Sequence, residues 1–241
     1  RFSYYGMRAL LTLYMVNEFF SWMTDEAYRE EVSFGIFAAY GSLVYATPVL
    51  GGMIADKFIG FKKSIMLGGI LMALGHFFMA FYFDTGMLGF KAITINNFFF
   101  YAALALLIVG NGFFKPNIST MVGRLYPEGD NRRDSGFTIF YMGINAGAFL
   151  APLICGWLGY EFGWHYGFGA AGVGMIAGLV VFMKGMNDGV FGDNGDQPAE
   201  YVEKKMYGFR TDYFFYIIAA LMVPVAAFLV KNNAMEVLED I

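Results

Sequence analysis

The sequence predicts an all-α protein embedded in a membrane. Three observations carry that expectation: 58% of the 241 residues are hydrophobic, only 15% are charged, and the apolar residues come in long continuous runs. A soluble domain needs roughly a quarter of its residues charged to coat its surface. Alternation of apolar and polar residues would point to a barrel, whereas unbroken runs of about 20 point to helices crossing a hydrocarbon core about 30 Å thick. The net charge of −4 says little about partners, because the position of each charge along such a chain matters more than the sum. No nucleic-acid partner is expected.

Seven segments are long and apolar enough to span: residues 1–23, 33–55, 63–83, 98–122, 135–158, 165–184 and 212–231. Between them lie turn and charge signals, among them TDEAYREE, DKFIGFKK, FDTGMLGFK, PEGDNRRD and YEFGWH. The longest break, NDGVFGDNGDQPAEYVEKKMYGFRTD, is Gly- and Asp-rich and then charged and amphipathic, as expected of a linker lying at the membrane surface. The expected organisation is a six-helix bundle over 1–184, a cytoplasmic or interfacial linker over 185–211, one additional helix over 212–231 and a tail over 232–241. The chain opens on Arg1 inside an apolar segment and is expected to continue beyond both ends, the alternative being a complete seven-helix protein.

Orientation follows from lysine and arginine, which collect in cytoplasmic loops. The loops after spans 2, 4 and 6 hold Lys57, Lys62, Lys63, Arg124, Arg132, Arg133, Lys184, Lys204, Lys205 and Arg210; the alternate loops hold Arg29 and Lys91. The N-terminus is therefore expected inside, in a multi-pass protein of the cell membrane.

Arg1, Tyr4, Tyr5 and Arg8 recur at i, i+3, i+4 and i+7, so all four share one helix stripe. The two arginines sit about 10 Å apart along the axis. Lys115 lies mid-way along span 4, inside GNGFFKPN. A cation at mid-membrane costs roughly 2.5–3.5 kcal/mol on insertion scales, so these side chains should face a polar hollow. No Asp or Glu of spans 1 to 6 lies at the depth of Arg8 or Lys115, so an anionic ligand or carboxylates from elsewhere must supply the counter-charge. Deep cations in spans 1 and 4 also suit two inverted three-helix repeats. Pro116 beside Lys115 favours a kink.

Catalysis is not expected. A nucleophile, base or metal set needs side chains that can meet, and the candidates are Cys155, His76 and His165, scattered over a span, another span and an outer turn.

RFSYYGMR in span 1, SLVYATPVLGGMIADKFIG across span 2, GNGFFKPNIST in span 4 and FYMGINAGAFLAP in span 5 together resemble the proton-dependent oligopeptide transporters of the major facilitator superfamily. The resemblance covers spans 1 to 6, with the motifs in order and at fitting separations. It implies a major-facilitator-type N-terminal six-helix bundle plus one additional transmembrane helix, with the C-terminal bundle outside this sequence.

The implied activity is proton-coupled symport of di- and tripeptides by alternating access. The proton is the coupling ion and no other cofactor is expected; the partners are small peptides, the lipid bilayer and the absent bundle. By resemblance, Arg1 matches the arginine of an ExxER motif and pairs, with Lys115, to glutamates just upstream. Arg8 matches the arginine that attracts the peptide carboxylate. Tyr4, Tyr5, Tyr45 and Tyr141 match cavity tyrosines, and Asn145 matches an asparagine that hydrogen-bonds peptide backbone. Lys115 serves both substrate binding and coupling. Asp56, Lys62 and Lys63 match a loop that latches helix ends in one conformation. Two alternatives stand beside this: a related carrier of another anionic solute such as nitrate, and a non-transporting membrane receptor.

Overall fold

A computed structural model describes the backbone of residues 1–81 and 90–239, and the side chains of residues 1–81 and 95–232. Within it, α1 (Phe2–Tyr14) ends in a π turn (Met15–Phe19), and α2 (Glu26–Ile54) ends in a second (Ala55–Ile59). Then follow α3 (Phe61–Ala80), α4 (Phe90–Arg124), α5 (Arg132–Phe162) and α6 (Trp164–Asn187). A short α7 (Ala199–Val202) and a two-stranded hairpin, β1 (Lys205–Met206) and β2 (Phe209–Arg210), lead into α8 (Thr211–Glu239). Six of these, α2 to α6 and α8, are long and apolar enough to cross a membrane. The segment from α1 is not among them: Arg8, Asn17, Glu18 and its tyrosines dilute its apolar character.

Several expected breaks are narrower than the composition suggests. TDEAYREE is already helix from Glu26, because the Asp25 carboxylate accepts from the Ala27 and Tyr28 amides at 3.0 and 3.4 Å and caps the first turn. YEFGWH reduces to one residue, Gly163, whose φ of +113° turns the chain between α5 and α6. The expected tail is helical through Glu239 as a continuation of α8; residues 240–241, the end of span 3 at 82–83 and the FDTGMLG part of its loop lie outside the described residues, as does the Lys91 side chain. α4 runs on through Pro116.

The linker is built rather than loose. Its hairpin turns on Tyr207 and Gly208, both at positive φ, the geometry a two-residue connection needs. α8 then packs against α2 and α4.

α4 is the central helix, enclosed by α2, α3 and α8. Gly51 of α2 meets Gly112 of α4 so closely that a side chain on Gly51 would overlap the Gly112 carbonyl. On the other side α1 packs on α5 and α6, and α6 on α3. α1 barely touches α2, and α4 barely touches α5. The helices thus form two groups joined along α3 and α6, with a cleft between α1, α2, α4 and α5.

Candidate functional site

Arg8 and Lys115 approach one side chain in that cleft. The Lys115 Nζ sits 4.3 Å from the centroid of the Tyr45 ring, a cation resting on a negative π face. The Arg8 guanidinium stands beside the Tyr4 and Tyr45 phenols and interacts electrostatically with both. Arg8 also lies 5.4 Å from the Phe37 ring. One cation from α1 and one from α4 therefore converge on Tyr45 of α2. Among the described residues, no carboxylate lies at ion-pairing distance from Arg1, Arg8 or Lys115. Aromatic faces and phenols hold two positive charges where an anion would be the natural partner.

Tyr4 is buried and packs edge-on against Tyr5 at 5.4 Å between centroids. Behind it stands Tyr40, fully buried, its hydroxyl without a hydrogen-bond partner among the described residues. Arg1 borders a neighbouring, mostly apolar pocket of about 410 Å³ with Phe2, Phe114 and Phe182, while its charge still acts on Lys115. Tyr141 and Asn145 stand apart on α5, exposed, and no described hydrogen bond or ring contact joins them to Arg8 or Lys115.

The three residues read as one latch do separate things. Asp56 accepts from Arg124 at 3.2 Å, tying the end of α2 to the end of α4. Lys62 donates to the Gly192 carbonyl at 2.5 Å and to Asp196 at 2.7 Å. Lys63 donates to Gln197 Oε1 and to Asp212, each at 2.7 Å, and Asp212 also accepts from Arg210. Gln197 in turn donates to the Phe58 and Tyr201 carbonyls. Gly60, at φ +79°, brings its backbone against Asp196, where an added Cβ would stand 2.6 Å from main-chain atoms. The loop between α2 and α3 is thus strapped to the linker and to the first turn of α8.

Phe37, Tyr40 and the linker acceptors Asp196, Gln197 and Asp212 did not emerge from the motifs. Phe37 lies two turns before Tyr45 on the same helix, a spacing that could have marked it. The linker contacts join residues more than a hundred positions apart and leave no local signal.

The sequence profile of the POT family matches residues 62–202. The chain belongs to the POT family. It is 36% identical over 234 residues to a di-/tripeptide transporter of Lactococcus lactis, covering 97% of this chain and 44% of that protein. It is 44% identical over 184 residues to the peptide transporter YePEPT of Yersinia enterocolitica, covering 76% of this chain and 33% of that one. Among solved structures it resembles a mutant of peptide transporter POT in complex with alafosfalin, with TM-score 0.70 and 38% identity over 95% of this chain and 43% of that chain. A POT family transporter in complex with 5-aminolevulinic acid gives TM-score 0.69 and 31% identity over 98% of this chain and 45% of that chain. The chain spans less than half the length of these relatives. Its fold is the N-terminal bundle of a major-facilitator transporter with one further helix, in an integral membrane protein.

Proposed function

We propose that this POT-family chain is the N-terminal part of a proton-coupled symporter of di- and tripeptides that works by alternating access. The observation that carries the reading is the meeting of Arg8 and Lys115 at Tyr45 with no carboxylate at ion-pairing distance among the described residues. Peptides of different sequence share a backbone and two charged ends, so a site that accepts many of them should grip those ends. A guanidinium can take a carboxylate bidentately, and the ammonium of Lys115 adds a point charge beside it. Tyr4 and Tyr5 supply hydroxyls beside these cations, and Tyr141 and Asn145 of α5 offer a further hydroxyl and an amide to the peptide.

Coupling is a competition for positive charge. Carboxylates from the rest of the longer protein pair with Arg1, Arg8 or Lys115; protonating one releases its cation for the substrate. One proton then alters which cation is available, with no bond made or broken in the peptide, and transport rather than catalysis is the role. The end rich in lysine and arginine faces the cytoplasm, in the cell membrane.

The cations specify an anion before they specify a peptide, so a carrier of another anionic solute such as nitrate is the second reading. Uptake into liposomes by the full-length protein under an inward proton gradient separates the two. Dialanine should accumulate and nitrate should not compete. Lys115→Ala should abolish gradient-driven accumulation, and Arg8→Ala should weaken dialanine binding about tenfold, the scale of one charge-assisted hydrogen bond. Full accumulation by Lys115→Ala would overturn the coupling role.

A further inference from the structure

We propose that the cleft between the basic ends of α4 and α5 is a second anion station, built on Arg133, that receives the carboxylate of a substrate leaving the Arg8–Lys115 hollow. It rests on the transport reading above. The cleft has a volume of about 560 Å³ and is walled by Ser119, Thr120 and Gly123 of α4, by Tyr126 and Glu128 of the turn, and by Arg124, Arg133 and Phe137.

Two guanidiniums line this cleft, Arg124 and Arg133, and a third, Arg132, precedes Arg133 in sequence; Arg124 and Arg132 are already engaged. Arg124 donates to Asp56 and lies 4.3 Å from the Phe61 ring. Arg132 donates to both oxygens of Asp130, at 2.7 to 3.2 Å. Those hydrogen bonds hold the Asp130 carboxyl at about 2, so it is charged at any cellular pH and faces Arg132 rather than Arg133. Arg133 differs. Its guanidinium lies 6.0 Å from the Phe137 ring and against Gly123 of α4, where a Cβ would stand 3.5 Å from its terminal nitrogen. Among the described residues no carboxylate lies at ion-pairing distance from it, Glu128 in the wall and Asp134 next in sequence included. The Ser119 and Thr120 hydroxyls already donate to the carbonyls of Lys115 and Pro116. That leaves Arg133 as the principal unengaged donor in the cleft.

The station lies in register with the hollow. Ser119 is one turn, about 6 Å, beyond Lys115 on α4, and Arg133 is two turns, about 12 Å, from Tyr141 on α5. α4 and α5 share few contacts, and the cleft opens between their ends. A carboxylate leaving Lys115 need travel only about one turn of α4, to Ser119, to reach the cleft that Arg133 lines. Because Arg133 is exposed, its grip is screened and weak, as a stepping site requires if the ligand is to leave again.

The test uses full-length protein in liposomes of two compositions, wholly zwitterionic and containing phosphatidylglycerol. Arg133→Gln should bind dialanine at equilibrium within about twofold of wild type yet import it about fivefold more slowly at saturation, a change in turnover rather than in KM. Arg133→Lys should restore most of the rate, and the slowing should appear in both lipid mixtures. Import at the wild-type rate by Arg133→Gln overturns the station. Slowing confined to phosphatidylglycerol vesicles makes the occupant a lipid headgroup and overturns it too, as does loss of equilibrium binding, which would place Arg133 in the hollow or in folding. A wild-type protein that imports no dialanine in either mixture refutes the transport reading itself.

Discussion

Tyr45 meets two cations with two different parts of one side chain: the ring face carries the Lys115 ammonium and the phenol end lies beside the Arg8 guanidinium. The two functions can be separated by substitution. Tyr45→Phe keeps the ring and removes the hydroxyl, freeing Arg8 alone. Tyr45→Ala removes both and leaves two cations to repel each other across the cleft. A cation–π contact of this kind contributes about 1 kcal/mol, more where water is excluded. Tyr45→Phe should therefore weaken dialanine binding about threefold and Tyr45→Ala about tenfold or more, measured by calorimetric titration of the full-length protein. Equal losses in both variants would mean that the ring face contributes nothing. Arg8 and Lys115 were legible in the sequence because a deep cation is costly wherever it occurs. That they share Tyr45 was not, because helical spacing orders residues on one helix and says nothing of the angle between two.

Among the elements, the linker is where sequence and structure differ most. Its composition reads as a linker at the membrane surface, and Lys62, Lys63 and Gly60, with Asp212 at the start of α8, fix it against the start of α3. Composition reports what a segment does alone; here the order comes from ion pairs and a backbone approach made by residues over a hundred positions away. The helices were legible for the opposite reason, since a run of about 20 apolar residues has one stable home. Their ends were less so: the Asp25 cap starts α2 inside a segment that looks like a loop. Asp212 is nearly buried with two basic partners, so removing one leaves its charge poorly matched. Lys63→Ala should expose residues 188–198 to protease, raising the cleavage rate several-fold in detergent. The Lys63–Asp212 coupling in a double-mutant cycle should be about 1 kcal/mol. Unchanged cleavage in Lys63→Ala would show that the strap is held by the other contacts alone.

Taken whole, the molecule has two kinds of exposed apolar surface, and their chemistry separates them. On α6, Val173, Ile176 and Val180 are exposed with no polar neighbour among them, as suits acyl chains. On α5, Met142 and Phe149 are exposed at 65% and 70% and stand seven residues apart on one face, with Asn145 between them. A lipid-facing amide has nothing to bond, and leaving it so costs free energy. That α5 face, together with exposed Tyr45 and Val49 on α2, therefore suits a packed protein partner rather than lipid, as the proposed transport function requires of a second bundle. The proposal has a measurable form in the full-length protein, with single cysteines at 142, 149 and 180 on a background lacking other thiols. A lipid-dissolved maleimide should modify Val180→Cys at least about fivefold faster than Met142→Cys or Phe149→Cys, because the core of a packed interface excludes small solutes. Uniform labelling at the three positions would put α5 against lipid, and the counter-charges of Arg8 and Lys115 would then have to come from within reach of α1 and α4 alone.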